Sequence, residues 1–242
     1  MRTLMITLCL MTALSAQAQT VPQQLRDAFY RNDVVTLRQM LNEDQLSGSD
    51  WKSLYYRAFA HVHIGRVTMF LDGDAALEHL QKAETLIEEI LSIRDNEFEV
   101  WILMVSAKGL MVGASGGSRF WKGLQAGSTL KKAAKLAPNH PKVRFEKAIG
   151  LIFAPSWYGK DLNKAAALLL QNLDGELSNP DWVPNVRIEA DHHAWLAFIA
   201  LEQKNAGKAL YHINQSLRFR SDYDFILSEL KAKYAQLTGA DS

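Results

Sequence analysis

The chain has 242 residues, with 27 basic and 26 acidic side chains. This length suits one large domain or a short solenoid. A charge this close to zero argues against a protein that binds nucleic acid or an anionic membrane, because both need a basic field. We therefore expect no nucleic-acid partner.

Residues 1–18 have the pattern of a cleaved signal peptide. A basic start at Arg2 is followed by the apolar run Leu4 to Leu14 and by the small residues Ala16 and Ala18. The run is shorter than the ~20 apolar residues that span a bilayer. We predict cleavage after Ala18, a mature chain without a transmembrane segment, and export to the periplasm or out of the cell.

Cys9 is the only cysteine, and it lies inside this leader, well before the predicted cleavage site. A lipid-modified N-terminus is therefore not expected. The mature chain would have no disulfide, no thiolate nucleophile and no cysteine metal ligand. An oxidising compartment favours such a composition.

The mature sequence reads as helices throughout, because no stretch shows a sustained period of two with β-branched enrichment. Residues 19–49 are predicted to hold a helical pair (22–30 and 34–41) and a polar linker (43–49). Residues 50–242 are predicted to form a repeat domain. Its expected antiparallel pairs are 50–71 with 75–93, 97–112 with 119–137, 141–153 with 162–173, and 186–203 with 208–218, before a terminal helix at 223–237. The fold class is all-α, with about ten to eleven helices after the leader.

A small-large-small stripe recurs in the second helix of the pairs and predicts close helix packing. Its copies are Ala76, Leu80 and Ala83; Ala126, Leu130 and Ala133; Ala209, Ile213 and Ser216; and a weaker copy at Ala165 and Leu169, where Asn172 breaks the last position. A turn signal precedes each copy, and Asp74, Ser118 and Asp161 are predicted N-caps.

The segment with Ala126, Leu130, Ala133 and Pro138 is similar to the second helix of a tetratricopeptide repeat, in which a closing proline follows an A-x3-F-x2-A pattern. In the last pair, Leu196 and Ala197 occupy the Leu-Gly positions of that repeat. The copies are spaced more widely than its roughly 34-residue unit. The corner Pro155 to Asp161 also resembles the P-x-x-[FY]-G-G-D corner of exported bacterial proteins, with Lys160 in place of the second glycine. The resemblance implies a short right-handed solenoid of stacked, degenerate and elongated repeats.

Two patterns could carry chemistry, and both have a simpler interpretation. Ser115 lies in a G-x-S-x-G sequence, but a nucleophile elbow needs a preceding strand and the residues before it read as helix. The neighbouring histidines, His61 with His63 and His192 with His193, are one or two positions apart. Metal chelation from one helix needs a spacing of three or four. His79 and His212 have no matched acidic pair, so we expect no metal, no cofactor and no enzymatic activity.

Aromatic side chains beside cations provide the candidate binding surface. Trp157 and Tyr158 stand between a proline and a glycine, and Trp182 lies in a similar proline-rich stretch. Such rings are common in binding hot spots; the alternative is that they fill gaps between irregular helix pairs. The candidate residues are Arg119, Trp121, Lys122, Trp157, Tyr158, Lys160 and Trp182.

The leading hypothesis is a non-catalytic exported repeat protein whose concave face, lined by the first helix of each pair, binds a protein or peptide partner. One alternative is a small-molecule-binding component of an envelope transport system, with a pocket near Arg119, Trp157 and Tyr158. A remote alternative is a serine hydrolase that uses Ser115. The sequence does not indicate an oligomeric state.

Overall fold

The computed structural model describes residues 19–43, 46–118, 120–174, 180–184 and 188–239. The predicted leader with Ala16 and Ala18, and Arg119 of the candidate surface, lie outside these ranges. Within them the chain is all-helical, without a β-strand. No helix of the described part has both the length and the apolar character that crossing a membrane requires.

Eleven α-helices occur in the described ranges. They are α1 (Val21–Tyr30), α2 (Val34–Asn42), α3 (Trp51–Thr68), α4 (Gly73–Ile93), α5 (Phe98–Ala114), α6 (Phe120–Leu136), α7 (Pro141–Phe153), α8 (Leu162–Leu173), α9 (Ile188–Glu202), α10 (Ala206–Phe219) and α11 (Lys231–Thr238). The bounds of the first ten agree with the predicted ones to within three residues. The predicted terminal helix is divided instead, because a π-helical turn spans Phe225–Leu230 before α11 begins. A 3-10 turn spans Ser156–Tyr158.

The helices pack as neighbouring antiparallel pairs, α3 with α4, α5 with α6, α7 with α8 and α9 with α10. This confirms the prediction of an all-α array of stacked helix pairs. Close approach within the first pair is visible at Gly65, where an added Cβ would lie 2.7 Å from Leu80 Cγ.

The residues of the small-large-small stripe lie at these packed faces. In three of the second helices every stripe residue is buried: Ala76, Leu80 and Ala83 in α4, Ala165 and Leu169 in α8, and Ala209, Ile213 and Ser216 in α10. The one polar member, Ser216, donates its hydroxyl to the carbonyl oxygen of Ala190 in α9 at 2.8 Å. The α6 copy packs less completely, since Ala126 and Ala133 are buried, Leu130 is only partly buried and Pro138 is exposed. Leu196 and Ala197 of the last pair are buried in α9.

Three of the second helices begin with the same type of cap. The side chains of Asp72, Asp161 and Asn205 each accept a hydrogen bond from a first-turn amide. Each cap stands four residues before the first small residue of the stripe in its helix. The predicted cap of α4, Asp74, was wrong, because the helix already begins at Gly73 and Asp74 lies in its first turn. At Ser118 the hydroxyl donates to the carbonyl oxygen of Ser115.

The two ends of the array are in contact. The largest core cluster joins α1 to α5 and includes Leu46, whereas a second cluster joins α9, α10 and the C-terminal helix to Tyr30 of α1. Tyr30 and Tyr223 meet edge to face at 4.8 Å between ring centroids. Arg220 Nη2 lies 2.8 Å from Asp27 Oδ1 beside them. The N-terminal pair therefore closes the array against its C-terminal end.

Candidate binding surfaces

The Trp157–Tyr158 corner projects two aromatic rings from the turn between α7 and α8. Pro155 ends the helix, a single 3-10 turn carries both rings, and Gly159 then adopts a φ of +102°, a conformation that favours glycine. Trp157 is 75% exposed and Tyr158 is 53% exposed, with their ring centroids 5.7 Å apart. An aromatic side chain that fills a gap between helices would be much less exposed than these two rings. Lys160 is also exposed beside them.

The remaining candidate residues occupy different environments. Trp121, at the start of α6, is about half exposed. Lys122 is only 8% exposed, because its Nζ reaches both carboxylate oxygens of Glu84 at 2.6 and 2.8 Å. Lys122 thus joins α6 to α4 as an internal ion pair and presents little charge to solvent.

Trp182 packs inside the molecule. Its ring lies edge to face on Trp51 at 4.7 Å and on Tyr55 at 5.1 Å, at the margin of the largest core cluster. This arrangement matches the alternative interpretation, in which the ring fills a gap between non-identical helix pairs.

The two helices of each pair are antiparallel, so the turns that connect them all lie at one edge of the array. Close contact between Gly73 and the carbonyl oxygen of Ala114 shows that the start of α4 adjoins the end of α5. This edge carries large apolar side chains that solvent reaches: Phe70 (76% exposed), Leu71 (88%), Trp121, Phe153, Trp157 and Tyr158. We call these six residues the apolar edge. The sequence analysis missed Phe70 and Leu71, although an apolar pair directly before the Asp72-Gly73 turn could have indicated them.

Ser115 does not lie in a nucleophile elbow. The residues before it form α5, and its hydroxyl donates to the carbonyl oxygen of Val112 at 3.0 Å. Since the elbow requires a strand that delivers the serine, the G-x-S-x-G match here is a helix-terminating turn. Gly116 and Gly117 supply its positive φ values.

Asn172, which interrupts the small-large-small stripe, is a buried polar link between three helices. Its Oδ1 accepts from Arg144 Nε at 2.5 Å, and its Nδ2 lies 2.7 Å from His192 Nε2.

A second polar contact joins α5 to α7. Glu146 accepts from the Ser106 hydroxyl at 2.7 Å, and burial raises the pKa of Glu146 to about 7. The first helices of the central pairs are thus joined by polar contacts.

The fold brings histidines together that the sequence keeps apart. His61 Nδ1 lies 2.8 Å from His79 Nδ1, and His193 Nδ1 lies 2.9 Å from His212 Nδ1. His79 and His212 each follow the first small residue of their stripe by three positions, so these two residues are equivalent in the repeat, and their partners lie 18 and 19 residues earlier in the chain. Local spacing could not show this, whereas an alignment of α4 with α10 could have. Across the described residues, no group of three or more potential ligands is arranged to hold a metal.

Burial keeps these imidazoles neutral. Burial is the main reason that the pKa values of His61 and His212 are both lowered to about 4. Burial also lowers the pKa values of His79 and His193. One ring of each pair must donate its Nδ1 proton to the lone pair of the other. Each pair is therefore a hydrogen bond between two neutral rings.

An open cleft of about 620 Å³ lies beside the first of these pairs, between α2, α3 and α4. Its lining residues are Arg38, Leu41, Asn42, Arg57, His61, His79, Lys82, Thr85 and Leu86. The small-molecule alternative placed a pocket near Trp157 and Tyr158 instead. Position, size and charge make this cleft a second candidate surface, distinct from the apolar edge.

Comparison with known proteins supports the fold. No family model and no curated relative matches the chain. A thermophilic TPR protein from Thermus thermophilus, TTC0263, is similar in structure with a TM-score of 0.52 and 16% identity, covering 91% of this chain and 99% of that one. The HusA haemophore from Porphyromonas gingivalis gives a TM-score of 0.55 with 18% identity, covering 75% of this chain and 92% of its own. The chain thus has a tetratricopeptide-like helical-repeat fold.

Proposed function

We propose that the protein is a non-catalytic, exported helical-repeat module that binds a protein or peptide partner in the bacterial envelope as a scaffold or adaptor. The apolar edge carries this proposal, since large exposed apolar patches on a folded protein mark interaction sites. Helical-repeat arrays suit such a role because each pair adds side chains to one extended surface.

The edge is a better candidate than the concave face. The first helices α3, α5 and α9 carry the polar residues His63, Glu99 and Asp191, and all three are buried and thus withdrawn from a partner. The rings of Trp157 and Tyr158, by contrast, are exposed to solvent, as is Lys160 beside them.

Site-specific photo-crosslinking in cells tests this surface. A photoreactive phenylalanine analogue at Tyr158 is expected to capture a discrete partner, and Trp157→Ala is expected to reduce the yield severalfold. The same analogue at Ile93 is the matched control, because Ile93 is an exposed apolar residue at the opposite end of α4. Equal crosslinking from both positions, or no partner from either, contradicts the proposed surface.

Export has its own test. Fractionation of cells that express the full chain, followed by N-terminal sequencing, is expected to find the protein outside the cytoplasm with Gln19 as its first residue. An Ala18→Tyr variant should accumulate uncleaved, because signal peptidase requires a small residue there. An intact N-terminus in the cytoplasmic fraction contradicts export.

The second candidate function is small-molecule binding, and the cleft between α2, α3 and α4 favours it. Its volume lies within the ~300–1,000 Å³ range of ligand pockets, and HusA, one of the structures similar to this chain, is a haemophore. Titration with hemin, followed by the Soret band in the wild type and in His61→Ala, tests the haemophore-like version. An unshifted band excludes hemin as the ligand.

A further inference from the structure

The cleft between α2, α3 and α4 concentrates positive charge. Arg38, Arg57 and Lys82 each reach it from a different helix. Lys82 has an acidic neighbour, Glu78, whose carboxylate lies 2.6 Å from its Nζ at an exposed position. Neither arginine has a carboxylate partner in the described part of the chain. The cleft therefore carries uncompensated positive charge.

Arg57 is distinguished from two comparable arginines by its lack of hydrogen bonds. The Nε atoms of Arg57, Arg66 and Arg220 are all buried, and those of Arg57 and Arg66 have no hydrogen-bond acceptor, whereas that of Arg220 lies 2.6 Å from Asp222 Oδ1. Arg66 nevertheless donates through Nη2 to two oxygens, and Arg220 is held by carboxylates on both sides. Arg57 makes no hydrogen bond to any described residue. A buried guanidinium donor without an acceptor is unfavourable. Arg57 as a whole is only partly buried and lines the cleft, so an oxyanion there would bind the exposed part of its guanidinium.

The equivalent position in the last repeat pair shows that helix packing does not require these cations. Alignment on the two histidine pairs places Glu189 where the first pair has Arg57. It likewise places Gln215 where the first pair has Lys82. Both helix pairs contain the hydrogen-bonded histidines. Only the α3–α4 pair, which borders the cleft, has an arginine and a lysine at these two positions.

We propose that this cleft binds a small molecule that carries two or more phosphate or carboxylate groups. Arg57 would hold one oxyanion through the guanidinium fork, as arginine does with planar acceptors. Arg38 and Lys82 would neutralise the remaining charge, while Leu41 and Leu86 contact the apolar part of the ligand. This inference rests on the second candidate function and is independent of the apolar edge.

Isothermal titration calorimetry with inorganic pyrophosphate and with tricarballylate tests the proposal and separates phosphate from carboxylate recognition. The wild type is expected to bind at least one of them at a single site. Arg57→Gln should weaken that binding by about tenfold or more, the loss expected for a charge-assisted hydrogen bond. Lys131→Gln removes a positive charge from the exposed face of α6 and should leave affinity within about twofold, as screened surface charges do.

Circular dichroism and thermal melting establish that each variant is folded. If Arg57→Gln does not fold, Arg38→Gln replaces it, since Arg38 is exposed on α2 and tests the same charge cluster. Absence of binding by both anions overturns the proposal, as does equal weakening by Arg57→Gln and Lys131→Gln. If hemin binds in a way that depends on His61 but not on Arg57, while neither anion binds, the oxyanion inference is wrong and the second candidate function stands.

Discussion

Replacing Asp191 with asparagine should change how the stability of the protein depends on pH. Asp191 lies on α9 and is buried, and its carboxylate accepts a hydrogen bond from the Tyr223 hydroxyl at 2.6 Å. Burial raises the pKa of Asp191 from its ordinary 3.8 to about 7, although the Tyr223 hydrogen bond and the charge of Arg66 both lower it. Asparagine keeps an acceptor for Tyr223 and removes the titration.

The sign and size of the effect follow from proton linkage. Because the pKa is raised in the folded state, the stabilising contribution is complete below pH 3.8 and is lost as the pH rises to about 7. At about 1.4 kcal/mol per pKa unit, the whole loss is about 4 kcal/mol, and about 2–3 kcal/mol of it falls between pH 5 and pH 8. The free energy of unfolding of Asp191→Asn, relative to wild type, should therefore increase by about 2–3 kcal/mol over that interval.

Urea denaturation at pH 5, 6, 7 and 8 measures this difference. The comparison must be made between variant and wild type, because His61, His140 and His212 have pKa values lowered to about 4 and make both proteins more stable as the pH rises from 4 to 6.5. Asp95→Asn, an exposed change, provides the control. If the curves of Asp191→Asn and wild type remain parallel from pH 5 to 8, the carboxyl does not titrate near 7 and the reasoning is refuted.

Four further substitutions test the packing of the repeats, each by urea denaturation or thermal melting. Asp161→Ala removes the N-cap of α8 and should cost about 1 kcal/mol; an unchanged midpoint would contradict the cap. Leu80→Ala, in the buried stripe of α4, should cost about 3 kcal/mol through lost burial and a cavity; a cost below about 1 kcal/mol would contradict tight packing there. Gly73→Ala should destabilise, because the added Cβ would lie 2.5 Å from the carbonyl oxygen of Ala114, whereas Gly109→Ala, with open space around it, should stabilise by up to about 1 kcal/mol. Equal effects of the two glycine changes would contradict this distinction.

Local periodicity was sufficient to predict the helices and their pairing. A stripe such as that of Ala209, Ile213 and Ser216 specifies both a helix and the face that its partner covers, and a cap such as Asp161 specifies where the helix begins. Both signals depend on residues within two turns of each other, so they can be read without tertiary information. The wrong cap at Asp74 is an error of this local kind, caused by choosing the second of two aspartates around Gly73.

Contacts between distant helices could not be predicted in this way. From the sequence alone Lys122 would be expected to face solvent, and only the folded structure shows that its side chain meets Glu84 of α4. The histidine pairs likewise depend on how two helices face each other, because His61 and His79 are each unremarkable within their own helix. The closure of α1 on the C-terminal end depends on the accumulated rotation of every repeat between them.

That closure affects how the two candidate surfaces could work. An open solenoid can adjust its curvature to a partner, but here the contact of Asp27 with Arg220 and of Tyr30 with Tyr223 ties the first helix to the last part of the chain. The cleft beside Arg57 is built from α2, α3 and α4, whereas the Trp157 corner lies on the α7–α8 pair. A ligand in the cleft would contact the helices α2, α3 and α4. A partner on the apolar edge would contact the turns of the central pairs. Because the two surfaces share none of these residues, occupation of one need not block the other.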